Sequence, residues 1–275
     1  VRPLKDGVIA DFNAAELMIR ELMKMIYPKK PLFPPSWRMV ICIPSSITEV
    51  EKRAVRDSAE QAGAKEVYMI HEPMAAALGI GIDVEEPVGN MIIDIGGGTT
   101  GITVIALAGI VCDQSIRIAG DEFTADIMEA LRRYHSLLIG ERTAEQIKIH
   151  VGAALKDLDN PPDDMPVNGR DLVTGIPKQI MVTYQEVAEA LDKSIFKIEE
   201  AILKALETTP PELASDIYRR GLYLTGGGAL LRGLDKRLSQ KIKLPVHVAE
   251  DPLKSVVRGT GIALKNYQRF PFIMR

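Results

Sequence analysis

Cysteine is nearly missing from this sequence. Cys42 and Cys112 are the only two in 275 residues, and both sit in apolar, strand-like runs. They read as small buried hydrophobes in a reducing cytoplasm, not as a disulfide framework or a metal pair. Long apolar runs are missing too. No stretch approaches the roughly 20 residues that span a bilayer, and no secretory signal is visible. An excess of basic charge is absent: 34 Lys and Arg face 37 Asp and Glu, a net charge of −3. General attraction to nucleic acid is therefore not indicated. No short-period repeat is present, which argues against a solenoid. No Walker loop occurs. The text opens on Val1 without an initiator methionine and reads as mid-chain.

What remains is ordinary globular composition, with 46% apolar and 26% charged residues. That is enough for one large or two modest domains. Apolar residues Leu17, Ile19, Leu22, Met23 and Ile26 predict a helix over 13–27, capped by Asn13. Four prolines in "YPKKPLFPPSW" forbid regular structure there. "RMVICIP" predicts a strand, 46–62 a helix with Thr48 and Glu51 as a capping box, and "EVYMI" the next strand. "EPMAAALGIG" predicts a short helix. This order predicts a mostly parallel sheet covered by helices. "MIIDI", "GITVIAL" and "IVCDQSIRI" then predict an antiparallel meander.

Helices are expected at 121–139 and 143–156, a Pro-rich loop over 157–170, and a strand at "KQIMVTY". A long helix follows over 185–208, and "PPEL" opens another. The end repeats the earlier grammar: strand 221–225, a Gly triplet, helix 229–242, strand "PVHVA" and helix 252–267.

Two glycine triplets carry the chemistry. In "DIGGGTTG", Gly96, Gly97 and Gly98 permit close approach to exposed amides, a surface suited to phosphate. Asp94 ends a buried strand, where its carboxylate can hold magnesium through water. Thr99 and Thr100 offer hydroxyls to a phosphate or a water. The plain alternative is a hairpin with a left-handed turn. In "LTGGGALLRG", Gly226, Gly227 and Gly228 precede a helix start, which allows passage of a flat ring or sugar and favours anions. The plain alternative there is a tight strand–helix turn.

These residues resemble a family. "EPMAAALGIG", "DIGGGTTG", "SIRIAGDEF", "GERTAEQIK", "PPEL" and "LTGGGALLRG" stand in the order of the actin, heat-shock chaperone and sugar-kinase ATPase superfamily. "GERTAEQIK" and "RDLVTGIPK" bring the resemblance closest to the bacterial actins of the MreB kind, rod-shape-determining proteins, over nearly the whole chain. The resemblance implies an α/β, ribonuclease H-like actin fold, with two domains around a cleft for ATP and magnesium. It places a first domain at 1–85 and a second at 86–250 with an inserted small subdomain at about 121–220. Residues 251–275 return to the first domain. It implies cytoplasmic filaments of the protein itself, lying on the inner membrane and organising cell-wall synthesis with the membrane proteins of cell-wall elongation.

By resemblance, Glu72 activates the attacking water and Thr99 helps to hold it. A carboxylate near a γ-phosphate suits that work, although Glu72 equally suits a helix start. Asp94, Gly96, Gly97, Gly98 and Thr99 match a phosphate turn, and Gly226, Gly227 and Gly228 with Ala229 match the adenosine turn. The run Ala144, Glu145, Gln146, Ile147 and Lys148 matches the ribose and base wall, chiefly through Glu145 and Lys148. Lys148 reads alternatively as part of a solvated helix face.

Three departures stand out. Nothing in these 275 residues matches the family's first phosphate loop, so the chain is expected to bind ATP weakly and hydrolyse it poorly. Gly101 stands where the family more often has an acid, and "FPFIMR" has no counterpart.

Leu32 and Phe33 match the family's membrane-inserting loop, with Lys29 and Lys30 beside them. Tucking against the domain is the alternative. The first 40 residues carry seven Lys and Arg against four Asp and Glu. A chaperone or sugar kinase of the same fold, or a non-hydrolysing piece, remains as a competing class. A sugar kinase needs a substrate aspartate, and no suitable motif is seen.

Overall fold

The computed structural model describes residues 4–5, 8–9, 11–26 and 37–275. Leu32 and Phe33 lie outside the described residues. The chain divides into two compact units. The first takes residues 1–88, 105–111 and 254–275, and the second takes 89–104 and 112–253.

The first unit opens with strands β1 (Leu4–Lys5) and β2 (Val8–Ile9), paired antiparallel. Helix α1 (Phe12–Ile26) follows. Strand β3 (Trp37–Ile43), helix α2 (Glu49–Gln61) and strand β4 (Ala64–His71) form a strand–helix–strand unit, with β3 and β4 parallel. The Thr48–Glu51 capping box is present: the Thr48 hydroxyl accepts from the Glu51 amide, and the Glu51 carboxylate accepts from the Thr48 amide at 2.8 Å. Two orphan donors of the first turn are thereby satisfied.

Helix α3 (Glu72–Gly79) has Pro73 in its first turn, where the missing N–H costs nothing. It is almost wholly buried because its side chains are small. Later in the chain, α9 (Ser255–Lys265) packs on it at backbone distance. A β-carbon on Gly79 would strike the Ser255 carbonyl, and one on Gly259 the Ala75 carbonyl. Beyond α9, Met274 exchanges two main-chain hydrogen bonds with Met69 on β4, at 2.8 and 2.9 Å. The Arg38 guanidinium lies 3.9 Å over the Tyr267 ring.

Strands β5 (Asn90–Ile95), β6 (Thr100–Ala106) and β7 (Gly109–Ile116) are consecutive neighbours in one sheet. The β6–β7 turn is Leu107 and Ala108, not glycine, and both hold positive φ, 51° and 58°. Leu107 and Ala108 donate to the carbonyls of Glu86 and Val84 at 3.0 and 2.6 Å, which offsets the strain.

In the second unit, helix α4 (Gly120–His135) stops four residues before the sequence predicts. Ser136 turns left-handed at φ 51°, and the short strand β8 (Leu137–Leu138) drops Leu137 into the core. Helix α5 (Glu141–Val151) runs between Gly140 and Gly152, two residues earlier at its start than expected and shorter at its end.

The expected loop over 157–170 is corrected in its second half. Strand β9 (Met165–Asp171) pairs antiparallel with β10 (Pro177–Val182). Pro166 is tolerated because β8 pairs β9 only at Arg170 and Asp171, so the proline needs no donor on that side.

Helix α6 (Tyr184–Thr208) carries a second capping box, Thr183 with Glu186, that the sequence reading did not single out. Helix α7 (Pro211–Arg220) and strand β11 (Leu222–Thr225) lead to the second triplet. The predicted helix over 229–242 is in fact two pieces. A 3-10 turn spans Gly227–Leu230, and α8 (Leu234–Ile242) starts after Gly233, whose φ of 75° breaks the run. Strand β12 (Val246–Val248) completes the sheet order β12-β11-β5-β6-β7. β11 is parallel to both β5 and β12.

The core of this unit lies between the sheet and its helices, with Ile93, Ile95, Phe123, Ile147 and Leu224 in one cluster. Among the described residues, no helix is long and apolar enough to cross a membrane.

Candidate functional site

The parallel pairing of β5 with β11 sets Asp94 opposite Thr225, so both strands end at one level. The two glycine triplets start from those ends, and the second packs on Asp94 and Ile95, the last residues of β5. Gly226 holds φ 81°, and a β-carbon on it would collide with the Asp94 carboxylate and the Ile95 carbonyl. A β-carbon on Gly228 would collide with the Ile95 side chain. Glycine is required here by close approach as well as by conformation.

The first turn closes with Gly96 donating to the Thr99 carbonyl at 3.0 Å. The start of α4 then grips it: Gly120 donates to the Gly96 carbonyl at 3.1 Å and Asp121 to the Gly97 carbonyl at 2.7 Å. In a trans peptide the carbonyl and the next N–H point opposite ways. The amides of Gly97 and Gly98 are therefore turned away from α4, and no described group accepts from them. Two aligned, unused amides on an exposed turn make a donor surface for an anion.

Asp94 is a half-buried carboxylate, pushed up to about 6 by burial, and no described cation offsets the shift. Such a group suits a divalent cation, which returns the lost solvation. No cluster of three ligating side chains occurs among the described residues, so one carboxylate would hold the ion with water completing the shell.

Helix α5 presents the run 144–148 by its period. Ala144 and Ile147 are both 0% exposed and belong to the core, so their side chains line no ligand wall, a correction to the expectation for them. Gln146 faces solvent, on another side of the helix from Glu145 and Lys148. Glu145 and Lys148, one turn apart, meet at 2.7 Å. The Lys148 ammonium also donates to the Gly120 carbonyl at 2.7 Å and to Thr124 Oγ1 at 3.1 Å. This places both beside the first turn.

Thr100 is corrected as well. It is fully buried, and its hydroxyl donates to the Ile118 carbonyl at 2.6 Å, away from the turn. Thr99 remains half-buried at the turn. Ala229 is buried in the core, with its amide donating to the Gly226 carbonyl at 3.2 Å, so only its backbone shapes the turn. Gly227 is exposed. Glu72 belongs to the first unit, as the first residue of α3, behind His71 as N-cap.

The sequence reading missed Gly120, Asp121 and Thr124 as parts of the site. The signal was available in "IAGDEFT", a glycine and an acid at a helix start. Arg232, also missed, donates to the carbonyls of Ile149 and Gly152 at 3.3 and 3.4 Å, tying the second triplet's loop to the end of α5.

The chain is 47% identical over 271 residues to the cell shape-determining protein Mbl of Bacillus subtilis (strain 168), covering 98% of this chain and 80% of that one. It is 48% identical over 268 residues to the cell shape-determining protein MreB of Escherichia coli (strain K12), covering 96% and 76%. Among solved structures it is similar to MreB5 of Spiroplasma citri bound to ADP, with 38% identity, a TM-score of 0.91, and coverage of 98% and 81%. The fold is thus actin-like, a mixed α/β architecture with mixed sheets. A family profile described as MreB/Mbl protein matches residues 1–271, and the chain belongs to that family.

Proposed function

We propose that this protein is a nucleotide-binding, actin-like cytoskeletal protein that polymerises into filaments and takes part in setting cell shape. The observation that carries the reading is the seat of the second triplet on the end of β5, just before the first triplet. Gly226 and Gly228 rest on Asp94 and Ile95, so a phosphate turn and a nucleoside turn would stand together at one end of neighbouring strands. The amides of Gly97 and Gly98 would receive phosphate oxygens, and Asp94 would hold magnesium through water. When bound, that ion neutralises phosphate charge. Glu145 borders the sugar. Glu72 is assigned the water-activating role and Thr99 the water-holding role, in line with the general base that phosphoryl transfer to water needs. Family membership and the ADP-bound relative support the nucleotide assignment.

Further parts of the proposal follow from the family resemblance. Filaments are of the protein itself and lie at the cytoplasmic face of the inner membrane, through Leu32 and Phe33. They work with the membrane proteins of cell-wall elongation. Two apolar side chains stabilise insertion by only about 3 to 6 kcal/mol, so binding rests on many subunits acting together.

The test is a titration with Mg-ATP of the parent and of Asp94→Ala, followed by pelleting and electron microscopy. Tighter binding by the parent and nucleotide-dependent filaments support the proposal. Equal binding, or none by the parent, overturns the nucleotide reading. Liposome co-sedimentation of Leu32→Ala/Phe33→Ala tests the membrane part, and binding equal to the parent removes it.

A further inference from the structure

We propose that Lys148 is a positioning residue for the phosphate turn 96–99, acting through Gly120 and not by touching the nucleotide. The proposal rests on the nucleotide reading of that turn. An ammonium has three N–H donors and no acceptor. Those of Lys148 are taken by the Gly120 carbonyl at 2.7 Å, Thr124 Oγ1 at 3.1 Å and Glu145 Oε2 at 2.7 Å. None is left for a ligand. The side chain is only 15% exposed.

Its location is informative. The positive end of a helix macrodipole disfavours a cation, yet Lys148 sits at the first turn of α4. Glu145 offsets the charge, and Thr124 lies 2.8 Å from Glu145 Oε2. The residue so held, Gly120, uses its own amide on the Gly96 carbonyl, and its neighbour Asp121 uses its amide on the Gly97 carbonyl. Those two bonds fix the two peptide planes whose N–H groups are Gly97 and Gly98. Lys148 thereby sets the direction of the anion-binding amides through the first turn of α4. Gly120 is the relay because a β-carbon there would come within 3.2 Å of both the Gly96 oxygen and Lys148 Nζ.

The experiment compares parent, Lys148→Met and Lys148→Arg. ADP and adenosine are titrated in parallel, since only ADP needs the phosphate turn. Lys148→Met is expected to weaken ADP about tenfold and adenosine less than about twofold. Lys148→Arg, which keeps charge and donors, is expected to recover most of the loss. Equal weakening of both ligands means a direct sugar contact and overturns the proposal.

A second arm needs no nucleotide. Amide hydrogen exchange at Gly120 and Asp121 is measured in the ligand-free protein, with global unfolding followed alongside. Exchange at those two amides rising about tenfold in Lys148→Met, with global stability unchanged, supports the relay. Unchanged exchange, or a rise only in step with global unfolding, overturns it. Should Lys148→Met fold poorly, Thr124→Val removes one of the three partners and is read the same way. A parent that binds neither ligand removes the nucleotide reading, while the exchange arm still decides the role of Lys148.

Discussion

Gly226 leaves no room for a β-carbon, because the Asp94 carboxylate and the Ile95 carbonyl already fill that space. Its φ of 81° also lies in the left-handed region. Gly226→Ala therefore suffers twice, from a clash and from backbone strain. The expected cost is about 3 kcal/mol or more, read by denaturant unfolding. Gly227→Ala, whose β-carbon would meet only the Leu253 side-chain end at 3.2 Å, is expected to cost far less. Equal losses at the two positions would contradict the packing.

Asp94 makes stability depend on pH. Its folded value of about 6 lies above the ordinary 3.8. The native state thus keeps the proton more tightly than the unfolded chain. Its contribution is full below pH 3.8 and is lost as pH rises through 6. At neutral pH the ionised group costs no more than about 3 kcal/mol. Asp94→Asn is expected to be more stable than the parent at pH 7.5 and indistinguishable near pH 3.5. Magnesium should raise the Tm of the parent at pH 7.5 and leave the variant unmoved.

Thr100 separates folding from binding. Thr100→Val keeps the shape but leaves the half-buried Ile118 carbonyl without its 2.6 Å donor. A loss of about 1 to 3 kcal/mol in unfolding free energy is expected. Nucleotide affinity, measured by calorimetry at a temperature where the variant is folded, should match the parent. A selective loss of affinity would return the hydroxyl to the ligand.

Arg237 holds the nearly buried Glu199, 4% exposed, through Nε at 2.6 Å. It also pairs with Asp192 at 2.8 Å and donates to the Ala154 carbonyl at 3.2 Å. Arg237→Met strands a carboxylate between α6 and α8, at a cost of about 3 to 5 kcal/mol. The double variant Arg237→Met/Glu199→Leu is expected to recover much of that, because no buried charge remains. Chemical denaturation of the three proteins checks both statements.

The elements with a strong local signal were legible in the sequence. The capping box at Thr48 and Glu51, the small-residue helix after Glu72 and the strand before each triplet all carry their chemistry within a few residues. The errors arose where a distant contact decided. Strand β9 looks like a loop in the sequence because Pro166 and its polar neighbours are irregular in pattern, and only its pairing with β10 gives them a ladder. The helix expected from 229 breaks at Gly233, whose left-handed turn the apolar spacing conceals. Within the site, the glycines and Asp94 announced themselves, but the run 144–148 did not sort itself. Its period shows that Ala144 and Ile147 share a face. Only packing says that this face is the core.

The main-chain bridge between Met69 and Met274 bears on how the molecule can be handled. Arg275 directly follows a position already stitched to β4. A fluorescent protein or affinity handle joined straight onto Arg275 would pull on the edge of a sheet, not on a loose tail. Removal of Met274 and its neighbours would leave the outer main-chain groups of Met69 bare. Reporter fusions are better placed in the exposed β9–β10 turn, where Val173 and Ile176 face solvent and Gly175 already bends the chain.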